Sequence, residues 1–399
     1  MTVDWGEWLN LAIRWFHLTA GIAWIGSSFY FVWLDNHLVP PKEGEASGEV
    51  WSVHGGGFYH KQKYAVAPSK MPEDLHWFKW EAYTTWITGF SLLVLMYYVG
   101  ANSYLIDPAK AGLSQAAAIA IGLGSLVVGW VFYDVLCRSP LGRDNRVLGA
   151  LWYLFLVFAA WFLNSIFNAR GAYLHVGAII GTVMAANVFF VIIPNQRKAV
   201  AQLVKGEVPD AALGMAGKQR SVHNNYMTLP VLFIMISHHY AMTFGASRPW
   251  LVLALIGITG VAVRHVFNLR HRGAPTRRAM VVAGVLSLLS VTYVSAEKST
   301  LPAVAKAEAA GDAPVTWASV EPIFVKHCTS CHAQSPTSEA FTAPPLGVML
   351  ESHDHAKAAA LRVKKVAVDS ETMPLGNMTG MTRAERDVIG RWIAEGTPE

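Results

Sequence analysis

Eight runs of predominantly apolar residues fill the chain between residues 8 and 296. Each reaches or exceeds the roughly 20 residues an α-helix needs to cross a bilayer. Backbone polar groups in hydrocarbon must be satisfied within the segment, so such runs fold as helices packed into a bundle. Spans are predicted at 8–37, 79–101, 114–137, 147–168, 172–194, 227–246, 250–270 and 276–296. Composition agrees: 53% of the residues are hydrophobic and 15% charged, against about 25% charged in a soluble domain. Pro194 is expected to end the fifth helix, and Pro230 to sit in the first turn of the sixth, where its missing N–H costs little. Gly122, Gly124 and Gly129 on the third helix, with Gly177 and Gly181 on the fifth, would allow close packing in lipid.

The connecting loops give an orientation. Those after helices one, three, five and seven hold sixteen Lys and Arg residues, against four on the other side. Basic residues stay cytoplasmic, so both termini are expected outside, in the periplasm of a bacterial inner membrane. The net charge of +5 sits in these loops, with no basic face or tail that would suit nucleic acid. "MTVDWGEWLNLAIRW" has Asp4 and Glu7 before any basic residue, unlike a cleavable signal. The first run is therefore read as a retained helix. Three cysteines are too few for a disulfide framework, and Cys137, at the end of an apolar run, reads as a small buried hydrophobe.

Composition changes near Lys298. The expected domains are a membrane domain at 1–297, an Ala/Pro/charged linker at 298–314 and a small all-α soluble domain at 315–399. In the last, "TRAERDVIGRWIAEG" reads as an amphipathic helix with Thr382 and Glu385 forming a capping box. Ahead of it lies "FVKHCTSCHAQS". Cys-x-x-Cys-His is the attachment motif of c-type haem. Cys328 and Cys331 would form thioethers to the porphyrin from one helical turn, and His332 would ligate the iron. Met373, before a proline, is the preferred distal ligand, with Met349, Met378 and Met381 as alternatives. A redox dithiol would want a βαβ setting, which is missing. Zinc would need two more ligands, for which His353 and His355 are available. An outward-facing C-terminus is where c-type haem is attached, and the loop charges reach the same orientation independently.

Ionisable residues inside spans are costly and usually functional. His17, with Arg14 one turn before it, stands in helix one. His175 opens helix five, His238 and His239 lie in helix six, and Arg264 and His265 in helix seven. Taken singly, each is more simply a hydrogen-bonded core histidine. Together they make His17 and His239 candidate ligands of a b-type haem. Two inward segments offer a binding site. "VHGGGFYHKQKY" carries His54, Gly55, Gly56, Gly57, His60 and Lys61, and its glycines would let backbone N–H groups approach an anion. "KQRSVHNNYMTLP" carries Arg220, His223, Asn224 and Asn225, suited to a flat hydrogen-bonding anion. The plain alternatives are a Gly-rich turn and a helix cap.

"RWFHLTAGIAWIGSSFYFVWLDNHL", "VHGGGFYH", "WFKWEAYTTWITGF" and "RSVHNNYMTLPVLFIMISHHY", followed by "CTSCH", resemble the bacterial membrane-bound urate oxidases of the PuuD type, over essentially the whole chain. That resemblance implies an eight-helix bundle fused to cytochrome c. It also implies oxidation of urate to 5-hydroxyisourate in purine breakdown. Electrons would leave through the cytochrome c domain to a respiratory acceptor, a soluble cytochrome c or a terminal oxidase, without forming peroxide. A pocket is then expected from Arg220, Lys61, Asn224, Asn225 and the glycine backbone, with His54, His60 or His223 removing a proton. One covalent haem c is expected, and a membrane haem b as relay. The rival readings are a membrane-anchored cytochrome that carries electrons from quinol to an oxidase, and a copper-handling protein, which leaves the haem motif unexplained.

Overall fold

The computed structural model describes residues 5–64, 68, 72–107, 110–300, 314–338, 341, 343–369 and 372–399, without the side chains of Glu7, Ser103, Ala241 and residues 297–300. Its long helices are α1 (Trp5–His37), α2 (Trp80–Val99), α3 (Gln115–Arg138), α4 (Asn145–Ile166), α5 (Ala169–Val204), α6 (Ala211–Ser237), α7 (Pro249–His271) and α8 (Arg277–Thr300). Among the described residues, six of these, all but α1 and α6, are long and apolar enough to cross a membrane. That is compatible with a multi-pass membrane protein. With 33 and 27 residues, α1 and α6 exceed the crossing length. Their polar residues, His17 and Asp35 in α1 and Arg220 to Asn225 in α6, lower their hydropathy.

The bundle's surface supports the same class. Val127, Val131 and Val135 on α3 and Leu154, Phe158 and Trp161 on α4 point outward, exposed. Small residues face inward: a Cβ on Gly129 would overlap Ile179, and one on Gly177 would overlap Ile234. Gly124 and Gly181 have nothing within 4 Å of that position. Large apolar groups outside and small ones between helices is the arrangement that lipid favours.

Three expectations need correction. Pro194 does not end a helix. A π-helical segment, Asn187–Ile192, shifts the hydrogen-bond register ahead of it, and the run continues to Val204; such bulges accommodate a residue with no N–H to give. Pro230 lies in the interior of α6, because that helix already starts at Ala211, where the Asp210 carboxylate accepts from the Ala212 N–H at 2.9 Å. The fold is also not purely helical. Strands β1 (Gly48–His54) and β2 (Gly57–Lys63) pair antiparallel, His54 opposite Gly57 and Gly48 opposite Lys63. Gly55 and Gly56 turn the hairpin at φ +58° and +80°. Both positions of such a two-residue turn need positive φ, which is why glycine stands there.

The hairpin lies at one end of the bundle, with the C-terminal ends of α1, α5 and α7. At the opposite end, Lys110 donates to the carbonyls of Asn164 and Phe167, both at 2.7 Å, closing the last turn of α4. Tyr173 donates there to the carbonyls of Thr243 (3.0 Å) and Pro249 (2.7 Å).

The C-terminal segment has its own core of Val320, Phe324, Ile389 and Trp392, carried by α9 (Trp317–His327) and α10 (Arg383–Ala394). The expected capping box on α10 is present: the Thr382 side chain accepts from the Glu385 N–H, and Glu385 accepts from the Thr382 N–H at 2.7 Å. Residues 301–313 of the expected linker lie outside the described residues. Residues Leu375–Asn377 approach Ala101–Tyr104, at the end of the bundle away from the hairpin, within 8 Å between Cα atoms.

Candidate active site

A cavity of about 910 Å³ opens at the hairpin end of the bundle. Its volume lies in the upper range for small-molecule sites. The walls come from separate parts of the chain. α1 contributes Trp24, Ser28 and Asp35, the base of β2 contributes Lys63, and the segment before α2 contributes His76. α5 contributes Asn195 and Gln196, α6 Lys218, Asn224 and Asn225, and α7 Asn268 and Arg272.

The cavity carries excess positive charge. Asp35 is the one carboxylate among its lining residues, and it is already bonded to Lys63 at 2.7 Å. Lys218 and Arg272 have no ion-pair partner among the described residues. Deeper in the wall, Arg264 is 4% exposed and has no carboxylate within ion-pair distance among the described residues. Its Nε donates to Asn225 Oδ1 at 2.8 Å, and its guanidinium lies over the Phe29 ring at 3.8 Å. A buried cation without an acid partner is costly and favours an anion nearby.

Of the residues expected from sequence, Asn224 and Asn225 line the cavity. Arg220 does not. Its Nη2 donates to Asp134 Oδ1 at 2.7 Å and its Nη1 to Asn187 Oδ1 at 3.1 Å, with Tyr133 stacked 5.0 Å away. Asn187 Nδ2 then donates to Asn224 Oδ1 at 2.9 Å, and Asn224 Nδ2 to the Met184 carbonyl at 2.9 Å. Arg220 thus fixes the wall behind Asn224. His223 faces the same side as Arg220, its Nδ1 2.7 Å from the Tyr133 hydroxyl and its Nε2 3.2 Å from Asn145 Oδ1.

The hairpin residues are held elsewhere. His54 and Gly55 to Gly57 form the exposed tip and its flank. His60 stacks on Trp51 at 4.3 Å and bonds Glu49 at 2.8 Å. Lys61 bonds Ser52 and lies over Tyr30 and Tyr59. None of these lines the cavity, whereas Lys63 at the strand's end does. Lys63, His76, Asn268 and Arg272 were not singled out from sequence. A signal existed for two of them, since Arg264, Asn268 and Arg272 are spaced four apart on one face of an apolar helix.

His17 and His239 share no contact among the described residues. The His17 Nδ1 lies 3.0 Å from the Thr85 carbonyl and 3.1 Å from Thr88 Oγ1. A Cβ on Gly89 would fall 2.8 Å from its ring, so glycine makes room for the imidazole. His239 is exposed and its ring lies 3.8 Å from that of His238. His175 is fully buried, with its Nδ1 2.8 Å from the Gly171 carbonyl, a core histidine.

In the C-terminal domain, Cys328, Cys331 and His332 share one turn, with the His332 N–H donating to the Cys328 carbonyl at 2.9 Å. His332 Nδ1 lies 2.9 Å from the Val348 carbonyl. That bond fixes the ring and leaves Nε2 for a metal, as ligating histidines are usually held. Cys328 and Met373 pack against the same core, Met381 is buried within it, and Met378 is largely exposed. Arg386 holds the Met373 segment by donating to its carbonyl at 2.6 Å. Burial and the neighbouring Cys331 push the Cys328 thiol up to about 12, the opposite of the lowered value that makes a dithiol reactive in exchange. No disulfide joins the three cysteines. Among the described residues no three His, Cys, Asp or Glu side chains group around a metal position, and His353 is turned to the Thr397 carbonyl at 2.9 Å. Cys328, Cys331 and His332 offer the donor set a c-type haem would need.

A lipid-type helical bundle with a cationic, amide-lined cavity at one end defines a membrane-type binding or catalytic domain, joined here to a small Cys-x-x-Cys-His module. The chain belongs to the urate oxidase N-terminal family, whose model matches residues 4–296. No curated protein and no solved structure matches it.

Proposed function

We propose that the protein oxidises urate in the hairpin-end cavity and passes the electrons to a c-type haem on Cys328, Cys331 and His332. The observation that carries this reading is the cavity's pairing of surplus positive charge with side-chain amides, in a chain of the urate oxidase N-terminal family. Urate at neutral pH is a flat monoanion edged by N–H and C=O groups. Lys218 and Arg272 supply charge, Asn224 and Asn225 supply amide contacts, and Trp24 offers an apolar plane. The reaction balances as urate plus water giving 5-hydroxyisourate, two protons and two electrons. His76 is the histidine among the lining residues, and imidazole is the common side chain for taking up such a proton.

The haem supplies one-electron acceptance and delivery to a respiratory acceptor, in place of oxygen reduction at the urate site. Sixteen basic residues in and around the loops expected at the hairpin end, against four opposite, support a cytoplasmic cavity and a periplasmic Cys-x-x-Cys-His module. The hydrocarbon between them is about 30 Å thick, so a carrier within the bundle is needed. His17, whose Nε2 has no hydrogen bond among the described residues, is the proposed ligand of a b-type haem there. The test is anaerobic mixing of purified protein with urate, followed by haem absorbance. Reduction by urate, with no peroxide on later admission of air, supports the reading. Reduction by quinol but not urate would make the protein a plain electron carrier.

A further inference from the structure

Two buried amides in the cavity wall lack part of their hydrogen bonding. Asn225 is 2% exposed and Asn268 6%. Asn225 Oδ1 accepts from Arg264 Nε at 2.8 Å and from Asn268 Nδ2 at 3.0 Å. Asn225 Nδ2 and Asn268 Oδ1 have no partner among the described residues. Both residues line the cavity. Buried polar groups are nearly always bonded, so an orphaned donor and an orphaned acceptor on two mutually bonded amides of the cavity wall call for a ligand or ordered water.

The direction of each amide follows from chemistry. Arg264 can only donate, so the Asn225 group facing it must be oxygen. That oxygen can only accept, so Asn268 must turn its nitrogen toward it. One donor, Asn225 Nδ2, and one acceptor, Asn268 Oδ1, are then left over, and neither amide can flip without setting two donors or two acceptors against each other. Arg264 thereby fixes the polarity of the pair and adds charge that no carboxylate cancels.

We propose that Asn225 Nδ2 and Asn268 Oδ1 together bind one lactam edge, an N–H beside a C=O, of a planar anionic heterocycle, with Arg264 as the positioning residue behind them. This rests on the urate reading and deepens it: Asn225 donates to a ring carbonyl and Asn268 accepts from the adjacent ring N–H. Methylation of that one nitrogen would remove the N–H and push the ring off the pair. Methylation elsewhere would leave the edge intact.

The test measures binding of urate and its 1-, 3-, 7- and 9-methyl derivatives to the full-length purified protein by equilibrium dialysis. One isomer is expected to bind at least about tenfold more weakly than urate, the size of one lost buried hydrogen bond. In Asn268→Ala that gap should shrink to about twofold or less, since coupled sites lose their coupling when one partner is removed. Asn225→Asp keeps a partner for Arg264 but turns the donor into an acceptor, and should weaken urate by at least about tenfold. Four isomers that bind the unaltered protein alike, a gap unchanged in Asn268→Ala, or parental affinity in Asn225→Asp would each overturn the pair alone. No urate binding to the unaltered protein would overturn the substrate reading and the pair with it. The analogue series on the unaltered chain decides the matter even where a variant fails to fold.

Discussion

Arg220→Met separates two roles for the most conspicuous cation of α6. The sequence suggests a contact with an anionic substrate; the structure commits the guanidinium to Asp134 and Asn187, away from the cavity. Methionine keeps much of the packing volume and removes both hydrogen bonds. Asn187 Oδ1 would be left buried without a donor, a loss of about 1–3 kcal/mol. Breaking a buried ion pair costs about 3–5 kcal/mol when the remaining charge is stranded. Asp134 is not stranded, because Arg138 lies 2.7 Å from its other oxygen, so the ion-pair part falls toward the low end. The sum is about 4–6 kcal/mol. Reversible unfolding in mixed micelles, with Asp134→Asn and the double variant completing a cycle, measures it. The cycle should show a coupling above about 1 kcal/mol, and folded Arg220→Met should bind urate within about threefold of the parent. Parental stability with urate binding abolished would show that Arg220 touches the substrate and that the structural role is mistaken.

Three further outcomes are expected. Arg272→Ala should raise the urate KM by about tenfold, the worth of one charge-assisted hydrogen bond, with a smaller change in kcat, read by steady-state kinetics. Cys328→Ala with Cys331→Ala should yield protein with no porphyrin retained on a denaturing gel and no urate-driven turnover, while urate still binds in dialysis. Lys326, the Thr382 backbone and His327 hold the Glu385 carboxyl well below the usual range. A depressed carboxylate stabilises the fold above its unfolded pKa and loses that contribution as pH falls through the folded one. Glu385→Gln should therefore speed hydrogen exchange in peptides from α9 and α10 at neutral pH, with the difference from the parent vanishing in strong acid.

The helices were legible because lipid leaves large apolar side chains on the outside, so hydropathy alone marks most of them. α6 was misjudged because Arg220, His223, Asn224 and Asn225 look like a loop until their partners on α3, α5 and α7 are known. The same blindness hid the reach of α5 past Pro194, since a π-helical turn leaves no clear sequence mark. The three glycines of the hairpin are as good a two-residue turn as an anion loop, and only the register decides between them. The Cys-x-x-Cys-His motif was readable because its groups lie within five residues. The cavity was only half readable because its wall is assembled from four helices, a strand and the segment before α2, and no local pattern joins Lys63 to Asn268.

Sealed vesicles carrying the protein in one orientation give the most direct test of transmembrane electron delivery. Urate is supplied on the hairpin side and a membrane-impermeant one-electron oxidant on the other, without oxygen. Reduction of two equivalents of oxidant per urate consumed, lost when urate and oxidant are exchanged across the membrane, is the result expected. Reduction only when urate shares the compartment of the Cys-x-x-Cys-His module would contradict it.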